Sequence, residues 1–134
     1  MNEAPVGILL ITHDPLGKIL RDTAEAILGH CPLSLAVLTV PMDADPENAA
    51  AEARRLATSL NQGAGVLVLS DLYGSTPSNI ACQLADWKHV QVVSGLNLPM
   101  LLRVCNYHAL TLAELAEKAH SGGHDGIVLC SKNS

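Results

Sequence analysis

The chain has 134 residues, a formal net charge of -5, 49% hydrophobic residues and only 2% aromatic residues. A chain of this length forms one domain with its own core, because folding buries roughly two-thirds of the unfolded surface. The acidic net charge excludes binding to nucleic acid and to anionic membrane surfaces, because both bind basic patches. Aromatic residues are scarce, so the chain also lacks the side chains on which the bases of single-stranded nucleic acid stack. We therefore predict a single domain over residues 1–134.

Targeting signals and cysteine spacing bear on the cellular compartment. No basic residue precedes the first short apolar run, and no apolar run approaches the ~20 residues of a membrane span. We therefore predict a cytoplasmic protein. The four cysteines form no C-x-x-C pair and have no histidine at metal-ligand spacing, so we interpret them as buried, reduced thiols. They are Cys31, Cys82, Cys105 and Cys130.

Short apolar runs, rich in β-branched residues, alternate with segments of helical periodicity. The runs cover residues 6–11, 35–40, 65–69 and 90–93, with a fifth at 127–130. Their apolar residues are consecutive, which is typical of parallel strands covered on both faces. Alternating strands and helices predict an α/β fold, a doubly wound, mainly parallel open sheet with right-handed crossovers.

Apolar residues at helical spacing predict the connecting helices. These helices cover about residues 15–28, 46–62 and 80–85, followed by a last region from about residue 98. That region is interrupted around residues 106–108 and restarts at Thr111, which has capping-box spacing to Glu114.

Three strand-to-helix junctions place a capping residue directly before proline. At each junction we predict that the first residue is the N-cap and that proline takes the first helical position, where its missing N–H costs nothing. The pairs are Asp14-Pro15, Asp45-Pro46 and Thr76-Pro77.

Two polar residues are predicted to meet at the carboxyl edge of the sheet. In doubly wound sheets the crevice lies beyond the strand ends where strand order reverses, here expected between strands one and three. His13 follows the first run and Asp71 the third, while residues 94–99 after the fourth strand would wall one side. A carboxylate on one imidazole nitrogen leaves the other nucleophilic, so we predict a His13–Asp71 pair. The alternative is that His13 is a polar loop residue and Asp71 a turn former.

A glycine and two hydroxyl residues, Gly74, Ser75 and Thr76, directly precede the third helix. Free N–H groups and positive partial charge at a helix N-terminus bind anions, so this loop is predicted to hold a phosphoryl group. The alternative is that Thr76 is only a cap and Gly74 only a turn residue. The sequence contains neither G-x-G-x-x-G nor a P-loop pattern, so these loops give no support for nucleotide binding.

Three motifs stand in order along the chain: GILLITH at residues 7–13, DLYGSTPSN at 71–79 and SGLNLPML at 94–101. Together they resemble the mannose-type enzyme IIA proteins of the bacterial phosphoenolpyruvate-dependent sugar phosphotransferase system (PTS), over nearly the whole chain. The resemblance implies that His13 accepts a phosphoryl group from phospho-HPr, a small phosphocarrier protein. His13 then passes the group to an enzyme IIB partner, which phosphorylates the sugar.

The resemblance also implies the role of each site residue. Asp71 matches the aspartate that holds the active histidine, and Thr76 matches the hydroxyl residue before proline, whereas Ser75 and Thr76 replace the usual glycine and serine. In the expected mechanism Nε2 of His13 attacks in line to form a tele-phosphohistidine, without metal or cofactor. The hydroxyl and N–H groups of the phosphoryl pocket stabilise the phosphoryl oxygens. The expected pocket residues are Thr12, Gly74, Ser75 and Thr76.

The family resemblance further implies a homodimer in which a C-terminal strand is exchanged between subunits. The expected strand covers residues 126–130 and follows a glycine-rich hinge at residues 121–123. The alternative is a last strand that stays in its own sheet. The resemblance implies that contact with a membrane would be indirect, through a permease complex. The chain length indicates a IIA unit without a fused IIB domain.

Other functions remain open at this point. One is a regulatory phosphocarrier without a sugar permease, and another is the phosphodonor subunit of dihydroxyacetone kinase, whose usual loop resembles Asp-Leu-Gly-Ser. A receiver-type signalling domain phosphorylated on Asp71 requires an acidic pair after strand one, where only Asp14 stands. A flavin-binding or purely structural module is a further alternative. The sequence identifies neither the sugar nor the IIB partner.

Overall fold

The computed structural model describes residues 4–131. The strands in this range are β1 Gly7–His13, β2 Leu35–Val40, β3 Val66–Ser70 and β4 Val90–Ser94. The α-helices are α1 Leu16–Leu28, α2 Pro46–Leu60, α3 Thr76–Gln83, α4 Leu98–Asn106 and α5 Leu112–Asp125, and a 3-10 turn at Leu84–Asp86 follows α3. Within the described residues, no helix has both the length and the apolarity needed to cross a bilayer.

The four strands form one parallel sheet in the order β2-β1-β3-β4. Strand β1 is an inner strand, and its residue Leu10 lies opposite Val37 on one side and Leu69 on the other. The strand order reverses between β1 and β3, which confirms the predicted switch point.

Helices cover both faces of the sheet, so that neighbouring residues of β1 enter two separate cores. Ile8 and Leu10 pack in a core with residues of α1, α4 and α5, whereas Leu9 and Ile11 pack with residues of α2 and α3. All four side chains are fully buried. Each contributes roughly 1.5–3 kcal/mol by leaving water, which explains why the strand is apolar at consecutive positions. The predicted doubly wound architecture is confirmed.

The predicted glycine hinge is wrong, and within one described subunit the segment predicted as a C-terminal strand joins no sheet. Residues 121–123 lie inside α5, and residues 127–131 contain no strand. Any Cβ on Gly122 would lie 2.8 Å from Cβ of Arg103, and one on Gly123 would lie 2.8 Å from Cε of Met100. The two glycines therefore allow close packing of α5 on α4 and do not form a flexible link. Exchange of this segment between subunits stays a prediction.

The interpretation of all four cysteines as buried, reduced thiols is also wrong. Cys31 and Cys105 are buried and form a disulfide, with their Cα atoms 5.3 Å apart. Cys82 and Cys130 are free thiols, but both residues are exposed. The bonded pair is separated by 74 residues and meets only because the segment that follows α1 and helix α4 share one core.

Candidate active site

The ends of β1 and β3 bring His13 and Asp71 into direct contact, as predicted. Nδ1 of His13 lies 2.8 Å from Oδ2 of Asp71, and the backbone N–H of His13 donates to the same oxygen at 3.0 Å. The backbone N–H of Leu72 donates to Oδ1 at 3.0 Å. Three nitrogen atoms therefore fix the Asp71 carboxylate next to the imidazole ring.

This arrangement determines which ring nitrogen of His13 is available for chemistry. An ionised carboxylate only accepts hydrogen bonds, so the hydrogen-bond network assigns the ring hydrogen to Nδ1 and a free lone pair to Nε2. The Asp71 side chain is 6% exposed, whereas the His13 side chain is 36% exposed. The ring is thus held from behind by a buried acid and can react at its exposed nitrogen.

His13 faces a cavity of about 290 Å³ at the carboxyl edge of the sheet. The ends of β1 and β2, the segment leading into α2 and the first turn of α3 supply the lining. Thr76 lies in the same lining as His13, and the nearly fully exposed Met42 contributes from the β2 side. The cavity therefore joins the reactive ring to the N-terminus of a helix, which is a favourable position for an anion.

The loop from β3 to α3 differs from its prediction by one residue. Ser75, and not Thr76, is the N-cap of α3, and its hydroxyl accepts the N–H of Ser78 at 3.4 Å and donates to the carbonyl of Leu72. Thr76 is the first helical residue and is exposed. Gly74 has a φ of 88°, a left-handed conformation that glycine adopts without strain. The Ser75 hydroxyl is therefore occupied by the turn, whereas Thr76 lines the cavity.

Thr12 lies behind His13 and does not line the cavity. Its side chain is fully buried, and its hydroxyl accepts the N–H of Gly17 at 2.8 Å and donates to the carbonyl of His13 at 2.9 Å. The Thr12 hydroxyl therefore joins the end of β1 to the first turn of α1 and is occupied by backbone groups.

The predicted N-cap at Asp14 is wrong. Pro15 occupies the N-cap position, the Asp14–Pro15 peptide bond is cis, and helix α1 begins at Leu16. The hydroxyl of Thr12 already accepts an N–H from the first turn of α1, so the turn obtains its side-chain acceptor from the strand behind it.

Sequence reasoning missed three serines next to this site. Ser70 and Ser94 are the last residues of β3 and β4 and lie opposite each other in the sheet, and Ser78 lies in the first turn of α3. Ser70 and Ser78 are fully buried. Serine at the end of two neighbouring apolar strands was the available signal, because a buried hydroxyl requires a partner.

Sequence comparisons relate the chain to sugar-transport phosphotransferases. The EIIA-man family, described as "PTS system fructose IIA component", matches residues 7–120. A sorbose-specific EIIA component of the PTS from Lacticaseibacillus casei is 29% identical over 113 residues, which cover 81% of this chain and 78% of that protein. A mannose-specific EIIAB component from Escherichia coli K12 is 31% identical over 125 residues. That alignment covers 91% of this chain but 38% of the Escherichia coli protein.

Solved structures show the same fold. A mannose/sorbose-specific IIA subunit from Enterococcus faecalis superposes with a TM-score of 0.84 at 22% identity, over 94% of this chain and 95% of that chain. The EIIA component from Streptococcus agalactiae gives 0.80 at 25% identity, over 92% and 96%. The chain therefore belongs to the EIIA-man family of the sugar phosphotransferase system, whose IIA components are phosphotransferases.

Proposed function

We propose that this protein is a phosphocarrier that accepts a phosphoryl group from phospho-HPr on Nε2 of His13 and transfers it to an enzyme IIB partner. One observation carries the proposal: the 2.8 Å contact between Nδ1 of His13 and the buried Asp71, which leaves Nε2 free. Membership of the EIIA-man family supplies the class of donor and acceptor.

The transfer is an in-line displacement between two imidazole rings. The lone pair of Nε2 attacks phosphorus while the bond from phosphorus to the donor's ring nitrogen breaks, and the donor ring keeps that electron pair. The Asp71 carboxylate stabilises the positive charge that develops on the ring of His13. In this proposal the backbone N–H and the hydroxyl of Thr76, the first residue of α3, hold the phosphoryl oxygens. Thr12 acts only by fixing the backbone at His13.

The surface near His13 supports docking of another protein. Three large apolar side chains lie beside the reactive residues, with exposed fractions of 94% for Met42, 61% for Leu72 and 78% for Tyr73. Asp14 and Asp43 are exposed acids in the loops that follow β1 and β2. We therefore expect a partner face that combines apolar and basic residues, and a lower association rate at high salt.

A homodimer in the cytoplasm is part of the same proposal. Ile127, Val128 and Leu129 expose 78%, 71% and 93% of their surface, and consecutive apolar residues at a surface favour burial against another molecule. Analytical ultracentrifugation of the full chain should give a dimer, and a chain that ends at residue 126 should give a monomer. A truncated chain that remains dimeric would contradict exchange of this segment.

The alternative functions differ in the group that carries the phosphoryl group or in the acceptor that receives it. A receiver domain uses a free carboxylate as acceptor, whereas the Asp71 carboxylate is buried and holds three nitrogen donors. A regulatory phosphocarrier and a phosphodonor subunit of dihydroxyacetone kinase use the same histidine chemistry and differ only in the acceptor. Incubating the phosphorylated protein with candidate acceptors therefore distinguishes these two roles from transport.

The direct test uses the full chain with phosphoenolpyruvate, enzyme I and HPr. The chain should acquire one phosphate that is stable in base and labile in acid, as expected for phosphohistidine. His13→Ala should abolish labelling, whereas the matched variant His30→Ala, at an exposed histidine beyond α1, should keep it. Labelling of His13→Ala, or a phosphate that base removes, would reject the assignment.

A further inference from the structure

We propose that Ser94 is a positioning residue for the reactive pair, through a cluster of three serine hydroxyls that fixes both ends of the loop carrying Asp71. This serine cluster consists of Ser70, Ser78 and Ser94. The inference rests on the proposed function of His13, because its importance lies in how accurately Asp71 holds that ring.

One hydroxyl joins three elements of the fold. The Oγ atom of Ser94 lies 2.8 Å from Oγ of Ser70 and 3.1 Å from Oγ of Ser78. Ser70 and Ser78 are fully buried, and Ser94 is half-buried. The end of β4 is thereby bonded to the end of β3 and to the first turn of α3.

Hydrogen bonds continue from this cluster to the imidazole ring. The backbone N–H of Ser78 donates to Oγ of Ser75, whose hydroxyl donates to the carbonyl of Leu72. The N–H of Leu72 donates to Oδ1 of Asp71, and Oδ2 of Asp71 contacts Nδ1 of His13. Every residue between Ser78 and His13 on this route is held by a hydrogen bond to the next.

The other end of the loop is fixed as well. Ser70 directly precedes Asp71, and its carbonyl accepts the N–H groups of Gly95 and Leu96, each at 2.9 Å. The loop therefore starts and finishes at groups that are bonded to the end of β4 or to the residues that follow it.

Burial of hydroxyl groups indicates a positional role for the cluster. An apolar side chain would fill the same space without desolvating a polar group, so the hydroxyl groups contribute mainly by fixing the relative positions of the elements that they join. Accurate positions matter in phosphoryl transfer, because a displacement of about 1 Å in the reacting groups costs roughly a hundredfold in rate.

The test compares Ser94→Ala with Ser94→Thr, which keeps the hydroxyl, and with Ser59→Ala on the exposed face of α2. For each full-length protein we would measure kcat and KM with phospho-HPr, the thermal midpoint, and the 15N spectrum of the histidine rings without any phosphodonor. The signals of His13 are assigned by their loss in His13→Ala. Ser78→Ala provides a second variant if Ser94→Ala fails to fold.

Ser94→Ala should lower kcat roughly fivefold to tenfold at unchanged KM, because a loop without the Ser94 hydroxyl holds Asp71, and through it the ring of His13, less accurately in the transition state. It should also move His13 away from the pure Nδ1–H tautomer, whereas Ser94→Thr and Ser59→Ala should behave like the unmodified protein. A Ser94→Ala protein with reduced thermal midpoint but unchanged kcat and ring spectrum would overturn the inference. Failure of phosphorylation in every variant would reject the proposed function, and the ring spectra would still decide the role of Ser94.

Discussion

Helix α2 begins differently from α1 and α3, the two helices that follow the strands carrying the reactive pair. Asp45 caps α2 through the N–H of Glu47 at 3.0 Å, and Pro46 is the first helical residue, as local sequence rules predict. At α1 the acceptor for the first turn comes from Thr12 within the preceding strand, and at α3 the cap lies one residue earlier than predicted, at Ser75.

The difference shows where local sequence rules for helix capping fail. At α2 the capping aspartate has no competing partner, so helix propensity decides the start of the helix. At the other two junctions the chain must direct His13 and Asp71 toward each other, and their neighbours bond to the backbone that holds this geometry. Functional sites are the places where such departures are expected.

The largest effect should come from Asp71→Asn, which keeps size but replaces one acceptor oxygen by an amide donor. An amide N–H facing the ring favours the tautomer with hydrogen on Nε2, which removes the nucleophilic lone pair. We expect the rate of phosphorylation by phospho-HPr to fall at least about a hundredfold, with the fold retained by circular dichroism. The exposed Asp86→Asn variant is the control, and an unchanged rate in Asp71→Asn would remove Asp71 from the mechanism.

Thr12→Val should rank second and should affect both stability and rate. Valine fills the same space but leaves the N–H of Gly17 without its acceptor, which costs roughly 1–3 kcal/mol of unfolding free energy. The rate should fall as well, because the carbonyl of His13 loses its donor. Urea denaturation measures the loss, and Thr12→Ser should restore most of it. Equal stability of Thr12→Val and the unmodified protein would show that the strand does not cap α1.

Asp45→Ala should have a smaller effect, confined to stability. Loss of an N-cap acceptor costs about 1 kcal/mol, and Asp45→Asn should recover it because asparagine also caps helices. The phosphorylation rate should change less than in Thr12→Val. If Asp45→Ala slows transfer as much as Thr12→Val does, the distinction between the junctions is incorrect.

The smallest effect concerns the capping box at the start of α5. Hydrogen bonds from the backbone N–H and the hydroxyl of Thr111 hold the pKa of Glu114 below its ordinary value of 4.5. A lowered pKa in the folded state means that the contribution to stability is complete above 4.5 and is lost as the pH falls through the folded value. Glu114→Gln should therefore reduce the acid dependence of the thermal midpoint, and an identical pH profile would contradict this assignment.

The parts of the fold that follow from burial were predictable from sequence. Strand β1 was recognised because each residue from Ile8 to Ile11 enters one of two cores, and such a strand is apolar at consecutive positions. The pairing of His13 with Asp71 followed from the rule that places functional groups where strand order reverses.

The remainder depends on contacts that no local pattern encodes. The bond between Cys31 and Cys105 and the packing of Gly122 against Arg103 arise only when α4 is in place, so the sequence suggested free thiols and a hinge. The serine cluster was overlooked because hydroxyl residues at strand ends are usually read as turn formers.

The way in which the end of β1 is held has a kinetic consequence. His13 pairs with Val40 of β2 on one side and bonds to the side chain of Asp71 on the other, so its ring presents a single nitrogen that cannot turn from one partner to another. Under the proposed function, donor and acceptor must therefore occupy the same place in succession. Steady-state kinetics should be ping-pong, and each partner should inhibit the other competitively at high concentration.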